Sequence, residues 1–276
     1  MKSFSFSSRR ILPLSGFEVT ITPGLFGEES ARKSSAQALA LKGIIMAEAL
    51  AESGADVCIW GRNEEKNQVA EQKLKSYGRR VLALKCDVSD KKQVEKGFVK
   101  VLDEMGAVHA CFANAGIGIL GTPFHEMSID EWRMIFGINM EGVFFTFQSA
   151  LRHMMERGDG GSLVVTSSLS SKFGIPRGEH YAAAKTGLIA IIRSLAVEYA
   201  RYGIRANAII PGWIETEMTA DFFKLKNVHE KILPRVPQRR WGVPADFGPI
   251  AVYLASDASI YHTGDAVVID GGYSCF

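Results

Sequence analysis

The sequence predicts an α/β protein in which helices cover both faces of a doubly wound parallel sheet, within a single domain. Three observations support this fold class. Short apolar segments alternate with amphipathic segments from Gly43 onward, which is typical of βαβ units. The 276 residues suit one large domain, and the composition of 47% hydrophobic and 22% charged residues suits a packed one. No apolar run approaches the length of a membrane-spanning helix.

The elements follow from the switch between helical and strand periods along the chain. Helices are predicted over Gly43–Ser53, Glu64–Tyr77, Lys91–Met105, Ile129–Met155, Tyr181–Tyr202 and Pro244–Asp257. Strands are predicted over Ala55–Trp60, Arg80–Cys86, Val108–Ala113, Ser162–Ser167, Arg205–Ile210 and Ala266–Ile269. Residues 217–240 mix aromatic, basic and proline residues, which suits either a lid over a ligand crevice or an exposed insertion.

Charge and cysteine content exclude several classes of protein. The net charge of +2 is too balanced for a nucleic-acid or membrane surface, and residues 1–42 alone carry +3. The spacing of the cysteines fits neither a disulfide scaffold nor a C-x-x-C zinc site, so no metal is expected. A reducing, cytoplasmic location is expected, with an organelle as the alternative if the Ser-rich, basic residues 1–17 are a transit peptide. The four cysteines are Cys58, Cys86, Cys111 and Cys275.

A tyrosine, a lysine and a serine form the candidate catalytic group. Tyr181 and Lys185 are four residues apart at the start of a predicted helix, so they share one face. A nearby ammonium favours the phenolate, so Lys185 is expected to lower the pKa of Tyr181 and make it a usable general acid or base. Ser168 follows the strand Ser162–Ser167. Ligands of parallel α/β sheets bind at the carboxyl ends of the strands, where this hydroxyl is predicted to lie.

At this point the sequence resembles the short-chain dehydrogenase/reductase family, from about Gly43 to Gly272. Order and spacing agree across the whole stretch. The matching elements are Asp87-Val88, Asn114-Ala115-Gly116, Asn139, Ser168, the Y-x-x-x-K motif at 181–185, the P-G-x-x-x-T motif at 211–216, Thr263-Gly264 and Asp270-Gly271-Gly272.

The resemblance implies a Rossmann-like fold and hydride transfer between a nicotinamide cofactor and a carbonyl/alcohol pair. It implies that Tyr181 donates the proton to the substrate oxygen, that Ser168 holds that oxygen, and that Asn139 anchors a water relay. Lys185 is implied to lower the tyrosine pKa and to bind the nicotinamide ribose. The implied cofactor-binding residues are Gly43, Asp87, Val88, Asn114, Gly116, Tyr181, Lys185, Ile214 and Thr216. Family members are usually dimers or tetramers, so a homo-oligomer, with a homotetramer as one form, is implied.

The choice of cofactor depends on the end of the second family strand. An acidic residue there binds a ribose 2′-hydroxyl, whereas an arginine accommodates a 2′-phosphate. This chain has Gly61-Arg62-Asn63 at that position. NADP(H) is therefore favoured, with Arg62 on the phosphate. Glu64 and Glu65 follow closely and keep NAD(H) open.

Residues 1–42 depart from the family pattern. Counted back from Gly43, the Gly-rich cofactor turn falls on 36–43, where Gln37 and Leu41 replace glycines. In one interpretation Phe17–Thr22 is the first strand, followed by a substitute turn and a helix from about Glu28. In a second, residues 1–42 are not the family's N-terminus, through splicing, a shifted frame or a wrong start. In the third, residues 1–17 are a targeting segment.

Two classes of function remain open. The complete tetrad favours an NADP(H)-dependent oxidoreductase of ketones and secondary alcohols. The altered turn favours a non-catalytic member of the fold that acts as an oligomer subunit or cofactor sensor. Bulky side chains in the turn obstruct approach of a pyrophosphate, and this predicts weak NADP(H) binding or none.

Overall fold

The described residues form one parallel sheet of seven strands. The computed structural model describes residues 18–21, 33–118, 121–215, 223 and 226–276, with backbone only for 18–21, 33–42 and 226–227. The sheet order is β3-β2-β1-β4-β5-β6-β7, so the winding reverses between β1 and β4 and the predicted doubly wound sheet is confirmed. The strands are β1 Glu18–Ile21, β2 Asp56–Gly61, β3 Val81–Lys85, β4 Ala110–Ala113, β5 Gly161–Thr166, β6 Ile204–Pro211 and β7 Ala266–Ile269.

The helices agree with the predicted ones in position, and most of their ends differ by three residues or fewer; the larger differences are the following. The first helix begins ten residues before the predicted start at Gly43. The single helix predicted over Ile129–Met155 is interrupted by a π-turn at Gly137–Glu141, and the segment predicted from Pro244 begins with a 3₁₀ turn. The described helices are α1 Lys33–Glu52, α2 Glu64–Lys75, α3 Lys91–Met105, α4 Ile129–Phe136, α5 Gly142–Arg157, α6 Glu179–Tyr199, α7 Lys226–Ile232 and α8 Gly248–Ala255.

Short polar residues begin several of these helices. The side chains of Asn63, Asp90 and Ser128 each accept a hydrogen bond from a backbone N–H in the first turn of α2, α3 and α4. Gly106 and Gly158 end α3 and α5 at positive φ, which an L-residue adopts only with strain.

The apolar core lies on both faces of the sheet. On one face the strands pack against α1, α2 and α8 through residues such as Leu50, Leu74 and Leu254. On the other face they pack against α3, α5 and α6 through residues such as Phe98 and Leu188. Since strands buried on both faces read as continuous apolar runs, this arrangement explains the segments from which the strands were predicted.

The segment that departs from the family pattern supplies β1, the strand at the switch point. Glu18–Ile21 pairs in parallel with β2 on one side and with β4 on the other. This is the position that the strand Phe17–Thr22 holds in the first of the three interpretations. The substitute turn of that interpretation lies outside the described residues. Positions 36–43, onto which the family turn was counted, lie within α1 and are helical.

Candidate active site

The carboxyl ends of the central strands bring the catalytic candidates together. Ser168 follows β5, and its side chain lies close enough to the hydroxyl of Tyr181, in the first turn of α6, to lower the pKa of that hydroxyl. Lys185 lies one turn further along α6, with its Nζ 5.9 Å from the centre of the Tyr181 ring. The hydroxyl pair and the ammonium thus form one polar group at the edge of the sheet where ligands of this fold bind.

Lys185 is held by the backbone of β5. The residue is 1% exposed, and its Nζ donates a 2.8 Å hydrogen bond to the carbonyl of Thr166. The carbonyl of Lys185 in turn accepts a hydrogen bond from the Ser167 hydroxyl. An ammonium that is buried and hydrogen-bonded in this way has a fixed position, because moving it would expose an unpaired charge to an apolar interior.

The expected direction of the Tyr181 pKa shift is wrong for this structure. Burial raises the pKa of the hydroxyl above its ordinary value, and the hydrogen bond from Ser168 opposes that rise only in part. Burial is the largest cause, and the Nζ of Lys185 donates a hydrogen bond to the carbonyl of Thr166. The protonated phenol is therefore the favoured form.

Asn139 holds the segment that follows β4. The residue is fully buried in the π-turn, its Oδ1 accepts a 2.9 Å hydrogen bond from the N–H of Ile117, and its Nδ2 donates a 2.8 Å bond to the Ile117 carbonyl. We call residues 114–123 the β4 loop, of which 119 and 120 lie outside the described residues. The side chain of Asn139 is thus engaged with this loop, and its implied role as the anchor of a water relay stays a prediction.

Asn114 and Gly116 begin the β4 loop beside the catalytic group. Asn114 is 1% exposed, and its Oδ1 accepts a 2.8 Å hydrogen bond from the Thr166 hydroxyl. Thr166 therefore joins Asn114 through its side chain and Lys185 through its carbonyl. The sequence analysis did not identify Thr166, although a polar residue at the end of an apolar strand is a usable signal for it.

Arg62, Asp87 and Val88 lie together at the neighbouring strand ends. The guanidinium of Arg62 is 3.6 Å from a carboxylate oxygen of Asp87, and both side chains are about one-third exposed, at 33% and 27%. Val88 is buried against Gly142, where an added Cβ would lie 2.8 Å from Cγ2 of Val88. The structure thus brings together the three residues that were predicted to bind the adenosine half of the cofactor.

The remaining predicted cofactor residues differ in outcome. Ile214 is 5% exposed and forms a parallel bridge with Gly242. Gly43 is buried inside α1 and not at its amino end, so the geometry does not place it where helix N–H groups bind phosphate. Thr216 lies outside the described residues.

The segment predicted as a lid or an exposed insertion is anchored by an aromatic residue. Phe223 is 4% exposed and stacks on Trp241, with 4.3 Å between ring centres. Trp213, which follows β6, contacts both Phe223 and Tyr273 near the C-terminus through ring edges. Where it is described, this segment therefore packs against the chain.

The described residues fit a nicotinamide dinucleotide at two of its three parts. A cationic side chain at the end of β2 suits a phosphorylated ribose, and the fixed amide and ammonium near β5 suit the hydroxyls of the other ribose. The third part is the pyrophosphate. Positions 36–43, onto which the family's Gly-rich turn was counted, are helical, and residues 22–32 lie outside the described residues. Within the described ranges, no group of three or more His, Cys, Asp or Glu residues could hold a metal ion. No helix in those ranges is long and apolar enough to cross a membrane.

Comparison with known proteins agrees with this geometry. Residues 42–274 match the family model described as enoyl-(acyl carrier protein) reductase. The 3-oxoacyl-(acyl-carrier-protein) reductase of Chlamydia pneumoniae is 37% identical over 221 residues, which cover 80% of this chain and 88% of the relative. The L-rhamnose 1-dehydrogenase (NAD(P)(+)) of Sphingomonas sp. (strain SKA58) is 34% identical over 226 residues, covering 80% and 87%.

A solved structure extends the likeness to the whole fold. The short-chain type dehydrogenase/reductase from Mycobacterium marinum superposes with a TM-score of 0.83 at 32% identity, covering 95% of this chain and 97% of that one. The sheet order, the catalytic group at its carboxyl edge and these matches agree. The chain therefore belongs to the short-chain dehydrogenase/reductase family of oxidoreductases.

Proposed function

We propose that this protein is an NADP(H)-dependent oxidoreductase that interconverts a ketone and a secondary alcohol, with Tyr181 as the general acid and base. The observation that carries the proposal is that the Ser168 side chain lies close enough to the Tyr181 hydroxyl to influence its pKa, one helical turn from the buried ammonium of Lys185. Two hydroxyls that meet at the carboxyl edge of the sheet can both hydrogen-bond one substrate oxygen. This is the arrangement that proton transfer to a carbonyl requires.

Each side chain has a separate task in this mechanism. When bound, the nicotinamide supplies the hydride in reduction and accepts it in oxidation. Tyr181 gives its proton to the substrate oxygen during reduction and takes it back during oxidation. Ser168 fixes that oxygen at hydrogen-bond distance from Tyr181. Lys185 presents a positive charge that stabilises the tyrosinate left after proton transfer, and it binds the ribose next to the nicotinamide.

The preference for NADP(H) follows from charge at the end of β2. Arg62 lies there with a partly exposed guanidinium, which suits a 2′-phosphate. Of the two acidic residues that left NAD(H) open, Glu64 and Glu65, Glu64 lies 3.3 Å from the Nζ of Lys85 and is engaged with that cation. Titration of the protein with NADPH and with NADH, followed by nucleotide fluorescence, tests the preference. Equal affinities for NADPH and NADH would contradict the proposed preference for NADP(H).

Turnover tests the function directly. NADPH oxidation at 340 nm is measured with small carbonyl compounds of different classes, namely a ketohexose, a 3-oxoacyl thioester and 1,2-cyclohexanedione. The 3-oxoacyl thioester is suggested by the name of the Chlamydia pneumoniae relative. Turnover should be lost in Tyr181→Phe and kept in Tyr202→Phe, a matched change at a tyrosine beyond the end of α6. Equal activity in Tyr181→Phe would refute the mechanism.

The alternative function is a non-catalytic member of the family. The observation that favours it is the helical backbone of α1 across positions 36–43, onto which the Gly-rich turn of the family pattern was counted. Under this alternative the protein binds NADPH weakly or not at all and turns over none of the carbonyl compounds. Sub-micromolar NADPH affinity would exclude it.

We also propose a homo-oligomer, a dimer or tetramer, located in the cytoplasm. An apolar hollow of about 770 Å³ lies between α5 and α6, and Phe144 on its rim is 52% exposed. Sedimentation of the purified protein tests the oligomer.

The four cysteines are all free thiols, which suits a reducing compartment such as the cytoplasm. Imaging of a tagged chain distinguishes the cytoplasm from an organelle.

A further inference from the structure

Glu131 on α4 is hydrogen-bonded to Thr122, near the end of the β4 loop. The Oε2 of Glu131 accepts a 2.9 Å hydrogen bond from the Thr122 hydroxyl, and its Oε1 accepts a 3.3 Å bond from the Thr122 N–H. The carboxylate also lies directly against Gly121, where a side chain would collide with it. Glu131 therefore holds the end of the β4 loop through Thr122. Asn139 holds the earlier part of the same loop through Ile117.

The same carboxylate faces a buried histidine next to the catalytic tyrosine. His180 is 0% exposed, and its Nε2 lies 3.7 Å from Oε1 of Glu131. Neither ring nitrogen has a hydrogen-bond partner within the described part of the chain. The N–H of Gly121 also donates a 2.8 Å bond to the carbonyl of Arg177, just before α6. The β4 loop and the start of the Tyr181 helix are thus joined at two neighbouring points.

We propose that Glu131 and His180 are positioning residues for the Tyr181 reaction, because the carboxylate links the β4 loop to the residue that precedes Tyr181. This proposal rests on the proposed function of Tyr181. The β4 loop leaves the sheet beside β5, after which Ser168 lies. In this proposal the described residues of the loop form one wall of the space in front of the two hydroxyls. Holding that wall against α6 sets the distance at which a carbonyl compound can reach Tyr181. Such positioning affects the substrate more than the dinucleotide.

The contact is sensitive to protonation of the histidine. Burial lowers the pKa of His180, and the two charges that act on it, Glu131 on α4 and Glu179 on its own helix, both oppose that lowering. Neutral His180 faces Oε1 of Glu131 at 3.7 Å while both bonds from Thr122 to the carboxylate stay in place. A protonated imidazolium competes with Thr122 for that carboxylate. The link to the loop is therefore complete at neutral pH and is lost as the pH falls through the histidine pKa.

Steady-state kinetics of two substitutions test the positioning role. His180→Leu removes the polar contact with Glu131. We expect kcat/KM for the carbonyl compound that the protein reduces to fall about tenfold, while KM for NADPH is unchanged. His180→Gln keeps a neutral side chain of similar size that can donate to Glu131. It should restore kcat/KM and remove the loss of activity at acidic pH that we expect of the native enzyme.

The matched control is His125→Gln, since His125 also faces a glutamate, Glu126 at 3.3 Å, but is 79% exposed. It should keep the native pH profile. The proposal is overturned if His180→Gln keeps the acidic loss of activity, or if His180→Leu raises KM for NADPH as much as KM for the ketone.

A measurement without turnover separates this proposal from the proposed function. In protein labelled with ¹⁵N-histidine, the ring signals are titrated by NMR, and the signal of His180 is identified by its absence in His180→Gln. Glu131→Gln removes a charge that raises the pKa of His180, so that pKa should fall, while the pKa of His125 stays the same. An unchanged His180 pKa overturns the proposal. If the native protein reduces no carbonyl compound, the proposed function fails, and this titration still decides whether the two residues are coupled.

Discussion

Replacing Asn139 by alanine should cost both stability and activity, and its structure allows the stability loss to be estimated. The amide makes two hydrogen bonds to the backbone of Ile117, at 2.9 and 2.8 Å, in a fully buried position. In Asn139→Ala the N–H and the carbonyl of Ile117 lose their partners. At about 1–3 kcal/mol for each of the two buried groups left unpaired, the free energy of unfolding should fall by about 2–6 kcal/mol. Urea denaturation followed by circular dichroism measures this loss.

A second buried asparagine provides the control. Asn207 is also fully buried, its Nδ2 donates to the carbonyl of His262 at 2.9 Å, and its Oδ1 accepts from the N–H of Asp265 at 3.1 Å. Asn207→Ala should therefore lose a similar free energy but keep the native kcat. In Asn139→Ala the freed β4 loop should lower kcat/KM by on the order of 100-fold. The reasoning is refuted if Asn139→Ala loses less than about 1 kcal/mol, or if both variants lose activity equally.

Three further substitutions test other parts of the site and fold. Arg62→Ala should weaken NADPH binding by about tenfold to 100-fold and leave NADH binding unchanged, because a charged hydrogen bond to the 2′-phosphate is lost; fluorescence titration measures both. Burial lowers the pKa of His153, whose Nε2 accepts a 3.1 Å bond from the N–H of Val108, so its contribution to stability is complete above its ordinary pKa and is lost as the pH falls below it. Urea denaturation at pH 7.5 and 5.5 should show a smaller acid loss in His153→Gln than in the native chain. Gly142→Ala pushes a methyl group against Val88, which should lower the free energy of unfolding by about 1–3 kcal/mol in the same assay.

The sequence was sufficient to predict the central strands because β2, β4, β5 and β6 are almost entirely buried. The segment Ala55–Trp60 is apolar except for Asp56, and the observed β2, Asp56–Gly61, differs from it by one residue at each end. The break at Gly137–Glu141 could not be predicted in the same way. The residues on both sides continue a helical pattern, and the π-turn depends on the bonds between Asn139 and Ile117, which are 22 residues apart.

The motif at 181–185 likewise predicted which residues meet, but not what each one contacts. Spacing along a helix places Lys185 one turn from Tyr181 whatever surrounds them. The direction of the ammonium is set by the Thr166 carbonyl, a backbone group with no signature in the sequence. His180 was overlooked for a similar reason. A histidine before a tyrosine indicates nothing until the fold brings Glu131 of another helix to within 3.7 Å of it.

The raised pKa of Tyr181 has a consequence for the two directions of the proposed reaction. Reduction begins with a protonated phenol, and burial favours that form, so Tyr181 is ready to donate its proton at neutral pH. Oxidation begins with the tyrosinate, which burial disfavours and which only the Ser168 hydrogen bond and the nearby ammonium of Lys185 can stabilise. Burial therefore determines which protonation state of Tyr181 is populated in the free protein, while the equilibrium between ketone and alcohol does not depend on the protein. A change that brings the Lys185 ammonium closer to the phenol oxygen lowers the pKa of Tyr181 and raises the fraction of tyrosinate at a given pH.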